Sequence, residues 1–132
     1  MNAGIALLAS LVLAACATAP GIVCRPGEKS AVADTLYFGT ARAEGAVSAV
    51  EWNEFLAQTV TPRFPDGLTA WPAAGQWQSA GGTTREASYV LSLVHADDPA
   101  SESAIREIMR AYKTQYHQEA VLRSRAPTCM SL

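Results

Sequence analysis

An α+β fold is what this 132-residue chain predicts, and three observations carry that expectation. Between Arg85 and His95, the residues Ala87, Tyr89, Leu91 and Leu93 alternate with Ser88, Val90, Ser92 and Val94, which is the period of a strand. Ser48 stands three residues before Glu51, and Trp52, Phe55, Leu56, Thr59 and Val60 then recur at helical spacing. Asp98-Pro99 opens a second helical stretch, in which Ile105, Ile108, Met109, Tyr112 and Tyr116 share one face.

In chain order, the short aromatic run Asp34-Thr-Leu-Tyr-Phe-Gly39, closed by glycine, fits a first strand. The Ser48 and Glu51 side chains then start a helix by meeting each other's exposed backbone N–H groups, with Val47 and Trp52 placed as the accompanying staple. Pro62 ends that helix. Pro65-Asp66-Gly67 is a turn, since proline presets φ and glycine accepts a positive one. A second strand follows from Leu68. Pro72 and Gly75 do not suit a central strand, so it is either an edge strand with a bulge or a broken one resuming at Gln76-Trp77-Gln78. Gly81-Gly82 makes the hairpin into the long strand. After the second helix, Glu119 to Ser124 gives a closing strand around Ala120-Val121-Leu122, followed by a tail. The order β-α-β-β-α-β is the split arrangement of ferredoxin-like folds: a four-stranded antiparallel sheet, in the order 4-1-3-2, with two helices on one face. Residues 16–33, rich in Ala, Pro, Gly and Ser, read as a tether to a domain over 34–132.

Location is written at the front. The apolar run from Ile5 to Ala17 is about 13 residues, short of the roughly 20 that a membrane-crossing helix needs. Its end, Leu13-Ala14-Ala15-Cys16, is similar to a bacterial lipoprotein export signal over residues 1–15, in which Cys16 takes the lipid. Met1 to Gly4 lacks the usual Lys or Arg, so either the α-amino group supplies the cation or translation starts upstream. The alternative is an ordinary secretory signal cut near Ala15 or Ala19, with Cys16 incidental. Ala17, rather than Asp, points to the outer membrane. The expectation is an envelope protein on the periplasmic side, held to the membrane by acyl chains on Cys16.

Removing 15 of 132 residues leaves enough chain for a single domain. With 10 basic and 12 acidic side chains and no basic run, nucleic acid is excluded as a partner class. Cys24 and Cys129 remain, and an oxidising compartment favours joining them. A disulfide closing about 100 residues is worth up to about 4.7 kcal/mol in the chain-entropy account. The predicted topology sets the end of the last strand beside the start of the first, which brings the same two residues together. The alternatives are free thiols or a metal pair, which no Cys-x-x-Cys or His spacing accompanies.

Candidate ligand-binding residues are Tyr37, Arg63, Trp77, Arg85, Glu86 and His95. Arg63, stiffened by flanking prolines, suits a carboxylate or phosphate, or else bonds loop carbonyls or Asp66. Arg85 and Glu86 face opposite sides of their strand. His95 stands near Asp97 and Asp98, but the spacing fits no zinc set, and carboxylates at a helix start stabilise that start. No metal and no cofactor are expected. His117 reads as a cation at a helix C-terminus, and Ser88 and Ser92 lack a nucleophile elbow. Tyr37 and Trp77 belong to the question of what covers the sheet face away from the helices, which Val90 and Val94 make apolar.

Asp34-Thr-Leu-Tyr-Phe-Gly39, Trp52 to Leu56, the block Thr61 to Thr69, Gly75-Gln-Trp77, Arg85-Glu86 with Ser88, and Cys129 together resemble the bacterial domain-of-unknown-function family numbered 3574, over residues 24–132. That resemblance implies an envelope protein and brings no activity. The functional expectation is a non-enzymatic, lipid-anchored module binding a small ligand or an envelope protein. The rival is a small-molecule enzyme of the dimeric α+β barrel type, a homodimer paired through the open sheet face, with its pocket on that face and Arg63, Arg85 or His95 at work.

Overall fold

A computed structural model of the chain describes residues 21–132; the signal segment and Cys16 lie outside the described residues. Strand β1 (Lys29–Gly39) is followed by a small hairpin of β2 (Ala41–Arg42) and β3 (Gly45–Ala46). Helix α1 (Ala49–Phe55) runs into a π-helical turn, Leu56–Val60, and then come β4 (Thr69–Ser79), β5 (Gly82–His95), α2 (Pro99–Tyr116) and β6 (Leu122–Met130). The four long strands lie in the order β4-β5-β1-β6, every neighbouring pair antiparallel, as the split arrangement requires.

The helix signals act as they read. Ser48 Oγ accepts from the Glu51 N–H while the Glu51 carboxylate accepts from the Ser48 N–H, and Asp98 Oδ1 accepts from the Ser101 N–H with Pro99 in the first turn. The end of the first helix differs from the expected face. Thr61 donates to the Leu56 carbonyl five residues back, at 2.8 Å. This widened turn lets Phe55 and Val60, five apart, both face the core, whereas unbroken α-helical spacing would turn Thr59 inward.

Three strand boundaries are corrected. β1 begins at Lys29, so residues 29–33 are sheet and not tether, with Ala31 and Val32 buried against Thr128 and Pro127. Their low strand propensity is overridden by a partner strand far along the chain. β6 is likewise displaced: it starts at Leu122 and takes in Pro127 and Cys129 of the expected tail. β4 is neither bulged nor broken; its register runs unshifted from Thr69↔Ser92 to Ser79↔Gly82. β4 and β6 are the two margins of the sheet, where a proline costs no second ladder, so Pro72 and Pro127 are tolerated. The β2–β3 hairpin has no counterpart in the sequence reading.

Alternation along β1 sends Leu36 and Phe38 to the helix side, where Leu91 and Leu93 of β5 join Trp52, Phe55, Val60, Ile105, Ile108, Tyr112 and Tyr116 in one core. Phe38 is the hub, its ring centre 4.6 Å from that of Tyr112 and 5.1 Å from that of Trp52. Trp52 in turn stacks nearly parallel on Tyr89 at 4.7 Å. The two buried phenols are satisfied: Tyr112 donates to the Gly39 carbonyl and Tyr116 to the Glu51 carbonyl. Desolvation raises the pKa of both.

The chain ends are joined by a Cys24–Cys129 disulfide, Cα atoms 5.5 Å apart and 105 residues apart in sequence. Its partners meet because β1 and β6 pair antiparallel, which places Cys129 opposite Ser30. Reduction is expected to lower the denaturation midpoint, by up to about 4.7 kcal/mol for a loop of this length, and to add two titratable thiols. Equal unfolding curves with and without reductant would refute this.

Candidate functional site

Among the described residues no helix packs on the sheet face opposite α1 and α2. On it, β1 presents Tyr37, β4 presents Trp71 and Trp77, β5 presents Val94 and β6 presents Leu122, each between 42% and 66% exposed. The register explains their grouping, since Tyr37 stands opposite both Val90 and Leu122, and Trp77 opposite Thr84. Between these large side chains the positions are small. Gly39 and Ala73 both pair with Ser88, and Gly75 pairs with Glu86. Large walls around a floor of missing side chains leave a cavity of about 580 Å3, within the usual range for small-molecule sites.

Glu86 sits at the floor of this cavity. One carboxylate oxygen, Oε2, accepts from the backbone N–H of Thr40 (3.1 Å) and of Ala41 (2.7 Å), so it continues the β1 ladder past its last paired residue. Thr40 Oγ1 donates to the Ala87 carbonyl and closes the same corner. Room for the carboxylate comes from Gly39, where a Cβ would stand 2.9 Å from Glu86 Oε1.

The rim is made by the segment after α2. His117 adopts a left-handed conformation (φ 55°), and its N–H and that of Gln118 both reach the Lys113 carbonyl, which ends the helix and turns the chain over the sheet. Gln118 Nε2 then donates to the Ala41 carbonyl and ties the rim to β2. His117, Gln118, Glu119 and Ala120 all line the cavity. His117 thus shapes a turn, a role that its place at a helix end did not reveal.

Of the six predicted ligand-binding residues, Tyr37, Trp77 and Glu86 line the cavity and the other three do not. Arg63 packs on the helix side, its guanidinium donating to the Thr59 carbonyl and to Glu107 of α2 rather than to Asp66. Arg85, on the alternate face of β5, donates to Gln76 on β4. His95 does not turn toward Asp97 or Asp98. It is buried, with Nε2 2.8 Å from Asp34 Oδ2 and Nδ1 2.8 Å from the Ala96 carbonyl. Asp34, fully buried, also takes two hydrogen bonds from Arg123, at 2.6 and 2.8 Å, and Arg123 continues to Glu102, which pairs with Arg106. Burial alone would raise the Asp34 pKa, but the bonds from Arg123 and His95 outweigh it and hold the carboxyl below its ordinary value. The Arg123 bond likewise lowers Glu102 to about 2. This network was not anticipated. Its signal was Asp34 in the same alternation as Val32, Leu36 and Phe38, an inward position that a carboxylate occupies only with a partner. Among the described residues, Cys24, Glu28 and Cys129 gather metal-type donors, but the two sulfurs are bonded to each other.

Over residues 33–132 the sequence matches the family described as "Protein of unknown function (DUF3574)", and the chain belongs to that family. No curated protein matches the chain. Among solved structures it is similar to a phage SAM lyase in complex with S-methyl-5'-thioadenosine, at 8% identity and a TM-score of 0.60, over 86% of this chain and 97% of that one. The phage SAM lyase in its apo state gives 10% identity and 0.56, over 85% and 97%. CutA from Synechococcus elongatus PCC7942 gives 12% and 0.54, over 79% and 83%. At these identities the similarity establishes the fold.

The buried network sets an acid limit. Asp34 and Glu102 have folded pKa values below their unfolded ones, so their contribution is complete above the ordinary carboxylate range and is lost as pH falls through the folded values, that of Glu102 lying at about 2. Arg123→Met, which leaves the Asp34 charge buried without its main partner, is expected to cost about 3 to 5 kcal/mol at pH 7 and to flatten the acid dependence. A variant with the wild-type unfolding profile from pH 7 to 2 would overturn this.

Proposed function

We propose that this member of the DUF3574 family is a lipid-anchored envelope module that binds a small molecule in the cavity on its open sheet face. The cavity is the observation that carries the reading: apolar walls from Tyr37, Trp77, Val90 and Leu122 enclose one fixed carboxylate over a floor of glycine and alanine. Gln76, Thr84, Ser88, His117, Gln118 and Glu119 add polar groups to the lining, and polar groups set in a mainly apolar hollow are the usual composition of a ligand site. Binding is the reading we favour: His95 and Asp34 lie buried on the helix side and are engaged with each other, which leaves Glu86, His117 and Glu119 as the titratable groups at the cavity. The envelope location is supported by Leu13-Ala14-Ala15-Cys16 and by a disulfide between the chain ends.

A second reading has a specific observation in its favour. Trp71 and Val94 are exposed on the same face but do not line the cavity, so a small ligand leaves them uncovered. Two copies paired through that face would cover them and enclose the hollow, as in the dimeric α+β barrel arrangement.

Cys16→Ser is expected to move the protein from the membrane fraction to the soluble one; unchanged membrane association removes the anchor. Nile red, an uncharged apolar dye, is expected to fluoresce on binding the open face, and Trp77→Ala to weaken it by about tenfold, or 1.4 kcal/mol. Equal binding by wild type and variant would rule out the cavity. Size-exclusion chromatography giving only monomer would remove the paired form.

A further inference from the structure

We infer that the ligand of this cavity is a small organic cation, an amine carried on an apolar body, whose charge is met by Glu86. This rests on the cavity being a ligand site and adds the chemical class. The first argument is charge. Glu86 and Glu119 both line the hollow, no Lys or Arg does so among the described residues, and His117 is the one basic side chain at its rim. An anionic ligand would enter against two carboxylates with no guanidinium or ammonium to meet it. A neutral apolar ligand would desolvate Glu86 without replacing the lost water, which is unfavourable for a charged group. A cation satisfies both conditions.

The second argument is preorganisation. The Thr40 and Ala41 N–H groups fix Oε2 to the end of β1, Gly39 gives Oε1 the room that it occupies, and Gly75 puts no side chain opposite Glu86 on β4. Those two bonds use about two of the four lone-pair positions of a carboxylate. The group is therefore held in one orientation with acceptor capacity remaining, the condition under which a charge-assisted N–H···O bond is strongest. The third argument is the walls. Tyr37 and Trp77 bring two aromatic rings to the lining, and ammonium groups are attracted to such rings by their quadrupole, while Val90 and Leu122 suit hydrocarbon and not a polar chain.

The test uses three probes of one shape on the purified full chain: phenethylamine, phenethyl alcohol and 3-phenylpropionate, measured by isothermal titration calorimetry. The amine is expected to bind about tenfold tighter than the alcohol, and the acid more weakly than either. Raising salt from about 0.1 to 1 M should erode the amine's advantage and leave the alcohol unchanged. Glu86→Gln keeps an acceptor for the two backbone N–H groups and removes the charge; it should abolish the preference while the alcohol binds as before. No preference for the amine in wild type, or one that survives both salt and Glu86→Gln, overturns the inference. If Glu86→Gln fails to fold, the salt series on the wild type decides alone. Nile red separates the two levels: dye binding that depends on Trp77, with no amine preference, sinks this inference and keeps the cavity as a site, whereas neither binding sinks both.

Discussion

Two antiparallel ladders to one eleven-residue strand, β1, hold this molecule together. β5 pairs along one side of it and β6 along the other, so its residues have no choice of side: Val32, Asp34, Leu36 and Phe38 go under the helices and Ala33, Thr35 and Tyr37 go to the open face. A slip of one residue would exchange the two sets. The aromatic core around Phe38, the buried Asp34 network and the cavity beneath Tyr37 are three results of a single register. The disulfide adds to the same constraint, since it closes the ladder where β1 and β6 begin and end.

The two faces divide the chemistry. On the helix side, charge is internal: Asp34 is ringed by His95 and Arg123, and Arg123 is shared with Glu102. Such a cluster is costly to break and contributes mainly by satisfying itself. On the open side, Glu86 is held by backbone N–H groups and faces a hollow. A carboxylate is thus paired with side chains of the fold in one place and with backbone N–H groups beside a hollow in the other.

What was legible beforehand follows from how local each signal is. The Ser48–Glu51 box, the Asp98-Pro99 start and the alternation of β5 need only neighbouring residues, and all are seen. The cysteine pairing followed from the compartment and from the two cysteines left, and the topology agreed with it independently. The start of β1 was missed because Ala31 and Ala33 are weak strand formers whose order comes from β6, about a hundred residues away. Arg123 was passed over for a related reason: it meets Asp34 across 89 positions, and a lone arginine in a strand reads as solvated. Tyr37, Trp77 and Glu86 were identifiable as side chains needing an explanation. Their convergence was not, because it depends on Gly39, Gly75 and Ala73 standing beside one another, and an empty volume leaves no mark until the strands are aligned.

Pro72 in β4 and Pro127 in β6 place one proline in each margin of the sheet. An unprotected margin is a template on which another chain adds its own backbone, the route by which β-proteins fuse into fibrils. A proline offers no N–H at its position, so an incoming segment loses a bond at both borders of this sheet. Lateral growth is blunted in each direction, although three aromatic rings stand exposed on one surface of the same sheet.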